Sequence, residues 1–283
     1  MSRWIALGLR TGVKTTGFPG QADPAAEAAP SAIQIHPAGL TAERALAAAA
    51  TCPTDAIVGQ GNWRSGSVSF DLGQCVMCGR CVAAAPEAFK FVSSAKVAVR
   101  DRDRLQARFA WRNGRVESQS VPSDELGQTA RDLNVRSTRV FGRSLHIRHV
   151  DAGSCNGCES ELQMLSSPNY DLAHLGLFFT PTPRHADALL VTGVVTRQME
   201  KPLLVTYEAM PEPKLVVAAG VCAIGGGCFA GGFMTSGPLD RVLPVDVYVP
   251  GCPPTPLAVL HGLLLAVGKA EERYRSVGSA DGS

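Results

Sequence analysis

The cysteines constrain this chain of 283 residues more than any other feature, because eight of the nine fall into two sets of four. The first set combines one Cys-Pro pair with three cysteines spaced by two residues: Cys52, Cys75, Cys78 and Cys81. The second set combines one C-x2-C pair with two single cysteines: Cys155, Cys158, Cys222 and Cys252. No long apolar run opens the chain, so we expect a cytoplasmic protein, in which clustered thiols stay reduced and bind metals.

The first set resembles a bacterial ferredoxin motif from which one half has been lost. That motif has two copies of C-x2-C-x2-C-x3-C-P, and the fourth cysteine of each copy binds the cluster of the other copy. The second copy here ends in Ala85-Pro86 instead of Cys-Pro. The first copy keeps only Cys52-Pro53, and its other three cysteine positions hold Ala42, Ala45 and Ala48. These coordinated losses remove one cluster and predict one complete [4Fe–4S] site: Cys52, Cys75, Cys78 and Cys81.

A zinc site, or a set of inert buried thiols, is the alternative interpretation of the same residues. Zinc sites favour two C-x2-C pairs, whereas this chain has a triple and a distant Cys-Pro. The spacing therefore favours the iron–sulfur interpretation.

The second set lies in a region where apolar runs alternate with helical stretches. The predicted strands are Leu145–Val150, Leu175–Phe179, Ala188–Thr192, Lys214–Ala219 and Val245–Val249. This alternation predicts a parallel α/β sheet with helices on both faces. Cysteines follow the first, fourth and fifth strands, and ligand sites lie beyond the carboxyl ends of such strands. We expect these cysteines to meet and hold a second [4Fe–4S] cluster: Cys155, Cys158, Cys222 and Cys252.

Residues 145–269 also resemble the small electron-transfer subunit shared by [NiFe]-hydrogenases and respiratory complex I. The matching strings are HVDAGSCNGCE at 149–159, PRHAD at 183–187, EAMPEPK at 208–214 and PGCPP at 250–254. Complex I subunits carry two adjacent cysteines in the first loop, whereas hydrogenase small subunits carry C-x2-C, as this chain does. The resemblance therefore favours membrane-bound, energy-converting hydrogenases of the formate hydrogenlyase type.

The N-terminal segment is similar to the ferredoxin-like subunits of the same two complexes. Its opening, RTG at 10–12 and TGFP at 16–19, looks like the basic, membrane-edge entry of those subunits. Those relatives usually keep both clusters, whereas this chain keeps the ligands of one. Both domains in one chain would equal a fusion of two subunits that are usually separate.

The expected fold class is α/β, with an N-terminal α+β ferredoxin-like domain and, as the resemblance implies, a flavodoxin-like parallel-sheet domain. Within the connector, Asn113-Gly114 predicts a type I′ hairpin and Ser123–Asn134 a helix. The predicted divisions are 1–32 (amphipathic stretch and Pro/Ala linker), 33–103 (ferredoxin-like domain), 104–143 (connector) and 144–283 (small-subunit domain).

The resemblance implies a non-catalytic electron-transfer subunit with two [4Fe–4S] clusters. Its implied partners are a large nickel–iron catalytic subunit, the membrane subunits of the complex, and an electron donor or acceptor protein at the N-terminal domain. The complex would produce or oxidise hydrogen on the cytoplasmic face of the inner membrane. One alternative is a complex I-like or nickel-free relative that delivers electrons to quinone.

A second alternative is an iron–sulfur redox sensor, which would need an effector or DNA-binding element. The net charge of +2 is far from the basic excess that nucleic acid requires, and the sequence has no helix-turn-helix pattern. We therefore expect no nucleic-acid partner. No apolar run reaches the length of a membrane span, and the longest, Leu257–Val267, predicts a buried helix. Ser2–Lys14 predicts a short basic amphipathic stretch.

Three further residues allow more than one interpretation. Cys228 is interpreted as a packing residue, with a role as alternative ligand near Cys222 left open. Glu159 is expected to complement the dipole of a helix N-terminus, with a proton-relay or docking role left open. For Glu161 neither interpretation is favoured. The histidines show no ligand spacing, so none is assigned to a metal.

Overall fold

The computed structural model describes residues 3–12, 15–21, 23, 29–120, 144–274 and 276–277. From residue 29 onward they form an N-terminal unit (29–120) and a C-terminal unit (144–274 and 276–277), each containing two sheets. The predicted α/β fold class is confirmed. The positions of the domain boundaries stay a prediction, and the helix predicted at 123–134 lies outside the described residues.

Helix α1 (Arg3–Thr11) precedes both units and buries none of its side chains. Trp4 and Leu9 are 81% and 76% exposed. At 100° per residue Arg3 and Arg10 lie on one side of the helix, and Trp4, Ile5 and Leu9 are spread over the opposite half. The predicted basic amphipathic stretch is thus a helix. Within the described part of the chain, no helix is both long and apolar enough to cross a membrane.

The N-terminal unit repeats a strand–helix–strand pattern twice. Strand β1 pairs antiparallel with β4, and β2 pairs antiparallel with β3, so each half contributes one strand to each pair. The helix of the first half ends at Cys52-Pro53, and that of the second half ends at Ala85-Pro86. The elements are β1 (Ala32–Ile35), α2 (Ala42–Thr51), β2 (Ile57–Gly61), β3 (Ser65–Asp71), α3 (Arg80–Ala84) and β4 (Phe89–Val92).

Helix α2 occupies the positions where the ferredoxin motif has lost its cysteines. Thr41 caps its N-terminus by accepting a hydrogen bond from the Arg44 N–H at 3.4 Å. The buried face of the helix consists of Ala42, Ala45 and Ala48. The helix also lies close to β2. A β-carbon at Gly59 would stand 3.1 Å from the Ala49 methyl group.

The predicted hairpin is confirmed. Strands β5 (Gln106–Arg112) and β6 (Arg115–Ser120) pair antiparallel, and β5 also pairs with β3. Asn113 and Gly114 have φ values of 50° and 78°, the left-handed conformation that a type I′ turn needs at both positions. The hairpin therefore extends the sheet of the N-terminal unit to the order β2-β3-β5-β6.

The C-terminal unit contains a five-stranded parallel sheet with the order β13-β11-β9-β7-β8. The five predicted strands are confirmed. The strands Ala188–Thr192 and Leu215–Ala219 are buried along their whole length, which is typical of strands covered on both faces. The elements are β7 (Leu145–Asp151), α4 (Gly157–Leu165), β8 (Leu177–Phe179), β9 (Ala188–Thr192), β10 (Val195–Thr196), α5 (Arg197–Glu208), β11 (Leu215–Ala219), α6 (Val221–Gly225), β12 (Thr235–Gly237), β13 (Val247–Val249) and α7 (Pro256–Ala266).

Helix α7 is the apolar run that the sequence assigns to the interior, and each of its residues from Leu257 to Ala266 is buried. Thr255 caps its N-terminus by accepting from the Ala258 N–H at 3.3 Å. Gly262 permits close packing, because an added β-carbon would collide with Val249 of the sheet. The helix is therefore a core element of the C-terminal unit.

Two backbone connections join the N-terminal and C-terminal units. Val99 and Tyr248 form an antiparallel bridge, with N–H···O distances of 2.9 and 2.8 Å. The segment after α7 then crosses to the N-terminal unit, where the buried Tyr274 hydroxyl donates to the Ile33 carbonyl at 3.0 Å. The carbonyl of Ser276 accepts from the Ile35 N–H at 3.1 Å. The C-terminal segment thus completes the core of the N-terminal unit.

We expect Tyr274→Ala to lower the free energy of unfolding by about 3–5 kcal/mol, because it empties a buried aromatic position. The control Tyr274→Phe keeps the ring and loses only the hydrogen bond to Ile33, so it should cost about 1 kcal/mol. Urea unfolding of the anaerobically purified chain measures both. Equal stability of Tyr274→Ala and Tyr274→Phe would contradict a structural role for this ring.

Candidate metal centres

The N-terminal quartet comprises the four cysteines of the first predicted site. Cys52 follows α2, Cys75 ends the 3-10 turn Leu72–Gln74, and Cys81 lies in α3. Burial raises the pKa of the Cys75 thiol to about 12, and the negative charges of Cys81, Cys52 and Cys78 contribute to the rise. These four side chains are therefore neighbours, although Cys52 is far from the others in sequence.

The loop between Cys75 and Cys81 turns sharply because two of its residues are left-handed. Met77 has a φ of 58° and Gly79 a φ of 74°. A left-handed methionine costs about 1–3 kcal/mol, which the surrounding structure must offset. Cys75 and Cys81 are buried, whereas Cys78 is exposed. One edge of the N-terminal quartet therefore faces solvent.

The C-terminal quartet lies at the carboxyl edge of the parallel sheet, where the sequence predicts it. Cys155 and Cys158 follow β7, Cys222 follows β11, and Cys252 follows β13. Burial raises the pKa of the Cys158 thiol, and so do the negative charges of Glu159, Cys222, Cys252 and Cys155. The three loops therefore meet at one place.

Two glycines make room for this convergence. Gly220 has a φ of 88°, and an added β-carbon would stand 2.6 Å from the Cys158 sulfur. Gly227 has a φ of 53°, and an added β-carbon would stand 3.0 Å from the Cys222 sulfur. The backbone also links two of the loops, because the Val221 N–H donates to the Gly251 carbonyl at 3.1 Å.

A chain of hydrogen bonds fixes the C-x2-C loop to the sheet. The Thr192 hydroxyl donates to Oε1 of Glu159 and accepts from Nε2 of His149, which lies 2.8 Å away. The Ser154 hydroxyl lies 2.6 Å from Oε2 of Glu159. Burial lowers the pKa of His149, so the ring is neutral and donates a single proton to this chain.

Glu159 lies in the first turn of α4, where the sequence prediction has it complement the helix dipole. Its carboxylate also makes specific bonds to two hydroxyl groups, one of them from β9. Sequence reasoning assigned no role to Thr192, which is the single polar residue of the buried strand Ala188–Thr192. That polar residue at the end of an apolar run is the signal that could have revealed the network. For Glu161, burial raises the pKa, and no hydrogen bond among the described residues defines a role.

The position of Cys228 differs from the sequence prediction. It is exposed, so the interpretation as a buried packing residue is wrong. It lies in the 3-10 turn Gly227–Phe229, directly after the glycine that contacts Cys222. Its negative charge contributes to the raised pKa values of both Cys222 and Cys252. A fifth thiol therefore lies beside the C-terminal quartet.

The two donor sets consist of thiols alone. All nine cysteines lie in the described residues, and all are free thiols. Among those residues, no three Cys, His, Asp or Glu side chains converge closely enough to hold one metal ion. Four thiolates can ligate an iron–sulfur cluster, and they can also ligate zinc. The role of these cysteines as cluster ligands stays a prediction.

Comparison with known proteins locates the similarity in the C-terminal unit. Residues 155–266 match the family model described as NADH ubiquinone oxidoreductase, 20 Kd subunit. A probable membrane-bound hydrogenase subunit of Pyrococcus furiosus is 49% identical over 131 residues, which cover 46% of this chain and 78% of that protein.

Formate hydrogenlyase subunit 7 of Escherichia coli is 43% identical over 139 residues, covering 49% of this chain and 54% of that protein. This chain therefore spans about half the length of the Escherichia coli protein. An NADH-quinone oxidoreductase subunit of Citrifermentans bemidjiense is 43% identical over 125 residues, covering 44% of this chain and 73% of that protein.

These relatives are subunits of oxidoreductase complexes, and a parallel sheet with cysteines at its carboxyl edge is compatible with electron transport. The chain belongs to the NADH ubiquinone oxidoreductase 20 Kd subunit family, with hydrogenase and quinone oxidoreductase subunits among its homologues. The family match begins at residue 155, so the N-terminal unit lies outside it.

We expect Thr192→Val to lower the free energy of unfolding by about 1–3 kcal/mol. The substitution leaves the Glu159 carboxylate and the His149 ring without the hydroxyl group that each bonds to. Thr192→Ser keeps the hydroxyl and loses one methyl group, at a cost of about 1 kcal/mol. Urea unfolding under anaerobic conditions compares the two. A Thr192→Val protein as stable as the unmodified chain would show that the network does not hold the loop.

Proposed function

We propose that the chain is an electron-transfer subunit that holds two [4Fe–4S] clusters and connects them to a catalytic partner. The observation that carries the proposal is the gathering of the two cysteine quartets, one in each unit. The proposed ligands are Cys52, Cys75, Cys78 and Cys81 for the first cluster, and Cys155, Cys158, Cys222 and Cys252 for the second. When bound, each cluster supplies one-electron transfer.

The protein contributes thiolates, shielding and orientation. The raised pKa values of Cys75 and Cys222 mean that these thiols are protonated without iron, so binding must release their protons. The exposed edge at Cys78 supports exchange with an external donor or acceptor protein. Cys155 and Cys252 are exposed at the sheet edge, which supports a catalytic partner covering that face.

We infer that the partner is a large subunit with a nickel–iron centre, so that the complex catalyses 2H⁺ + 2e⁻ ⇌ H₂. The C-x2-C spacing of Cys155 and Cys158 and the similarity to two hydrogenase-type subunits support this choice. This chain has no assigned catalytic residue, since its eight quartet cysteines are proposed as cluster ligands. Catalysis therefore takes place on the partner.

A quinone-reducing complex is the second candidate, because the chain is also 43% identical to an NADH-quinone oxidoreductase subunit over the matched residues. The two candidates differ in the metal content of the large subunit. Nickel in the anaerobically purified complex, with hydrogen evolution, supports the hydrogenase. A nickel-free complex that reduces quinone supports the alternative.

Membrane subunits are further proposed partners, which would place the chain on the cytoplasmic face of the inner membrane. Two relatives belong to complexes named membrane-bound hydrogenase and formate hydrogenlyase. The exposed apolar face of α1, with Trp4 and Leu9, provides a surface that such a subunit could cover. Detergent-free extraction of the complex from membranes tests this location.

We expect Cys75→Ala to remove the N-terminal cluster and about half of the bound iron, because the two ligand sets share no residue. Electron paramagnetic resonance of the reduced chain should lose one of two signals. The matched control Cys228→Ala changes a cysteine outside both quartets and should keep both signals. Loss of both signals in Cys75→Ala would contradict independent sites.

We expect Cys222→Ser to stop hydrogen evolution by the assembled complex when a dye reduces the N-terminal cluster. Soft iron prefers a thiolate to a hydroxyl group, so the C-terminal cluster becomes incomplete or labile. The N-terminal signal should persist.

The exposed Cys228 could replace the missing ligand, so Cys228→Ser is combined with Cys222→Ser. Cys228→Ser alone serves as the control. Hydrogen evolution at the unmodified rate by the double variant would show that this cluster is not an obligatory relay.

A further inference from the structure

The two units touch directly at the segments that carry one cysteine of each quartet. The 3-10 turn Leu72–Gln74, which leads into Cys75, packs against α6, which contains Cys222. An added β-carbon at Gly225 would stand 2.6 Å from the Gly73 carbonyl oxygen. It would also stand 2.7 Å from Cγ of Gln74. The backbones approach this closely only because residue 225 has no side chain.

Each side of this contact is tied to its quartet by short backbone links. On the N-terminal side, the Cys75 N–H donates to the Leu72 carbonyl at 3.1 Å. The Thr54 hydroxyl, two residues after Cys52, donates to the Gln74 carbonyl at 2.8 Å. On the C-terminal side, the Gly226 N–H donates to the Cys222 carbonyl at 3.0 Å.

The turn is also held by an ion pair between Asp71 and Arg102. The Asp71 carboxylate accepts from the Gly73 N–H at 2.8 Å and from two Arg102 nitrogens at 2.8 and 2.6 Å. The guanidinium group lies close to Gly73, where an added β-carbon would stand 2.6 Å from its central carbon. Gly73 therefore lies next to both the Arg102 side chain and Gly225, and the ion pair helps to fix its position.

We propose that the contact between Gly73 and Gly225 sets the gap for electron transfer between the two clusters, with Gly225 and Arg102 as positioning residues. The inference rests on the proposed function. Each quartet would hold one cluster, and the bound clusters would supply one-electron transfer from the reduced to the oxidised one, with no change of bonds or protons. Tunnelling rates fall exponentially with distance. Moving the two backbones slightly apart at this contact would therefore slow the transfer.

The test uses the full chain, purified anaerobically, with Gly225→Ala compared with Gly157→Ala. At Gly157 the added methyl group meets the Cys155 sulfur at 3.6 Å, an ordinary contact beside the same quartet. Flash reduction followed by rapid freezing and electron paramagnetic resonance gives the rate between the clusters. In Gly225→Ala we expect both cluster signals, and a rate lower by about tenfold, since close-packed backbones must move apart. Gly157→Ala should keep the unmodified rate.

A second variant changes the contact from the N-terminal unit, with no substitution near the C-terminal quartet. Arg102→Lys keeps the charge and loses the planar fork that clamps Asp71 and covers Gly73. It should also slow the transfer and weaken the magnetic coupling between the two reduced clusters. Unmodified rates and coupling in Arg102→Lys, or in a Gly225→Ala chain with both clusters, would overturn the proposal. Absence of either cluster from the unmodified chain would instead refute the proposed function.

Discussion

The convergence of cysteine sulfurs is the constraint on which the rest of the structure depends. Three loops meet in the C-terminal unit because β7, β11 and β13 are parallel, so their carboxyl ends share one edge. Gly220 leaves the space that the Cys158 sulfur needs. Burial and mutual charge raise the pKa of Cys158 and its neighbours, which makes four bare thiolates unfavourable. A bound cationic centre would reverse this cost, so the fold and the proposed cofactor depend on each other.

The N-terminal unit has alanines at the three positions where the predicted ferredoxin-like motif would carry further ligands. These alanines form the buried face of α2 and pack in the core. The helix lies close to Gly59 on β2, where an added β-carbon would stand 3.1 Å from the Ala49 methyl group. Strand β1 pairs with β4, and β2 pairs with β3. Helix α2 thus ends at Cys52, beside the remaining cysteines of the N-terminal quartet.

The sequence predicted features with local causes and missed those that depend on packing. The parallel sheet was predictable because its central strands β9 and β11 are continuous apolar runs, and Asn113-Gly114 predicted its hairpin through its backbone preference. The exposed position of Cys228 was not predictable, because a glycine-rich turn has no sequence pattern that indicates which residues are buried. The Thr192 network and the contact of Gly73 with Gly225 join residues far apart in sequence. No local preference encodes such contacts.

Iron and sulfide analysis with Mössbauer spectroscopy, on the full chain purified anaerobically and enriched in the appropriate iron isotope, tests the central claim most directly. Two quartets, each holding one four-iron cluster, predict about eight irons and about eight sulfides per chain, all in [4Fe–4S] spectra. A content of about four irons would leave one quartet without its cluster. A content of about twelve, or tightly bound zinc in place of iron, would equally contradict the account.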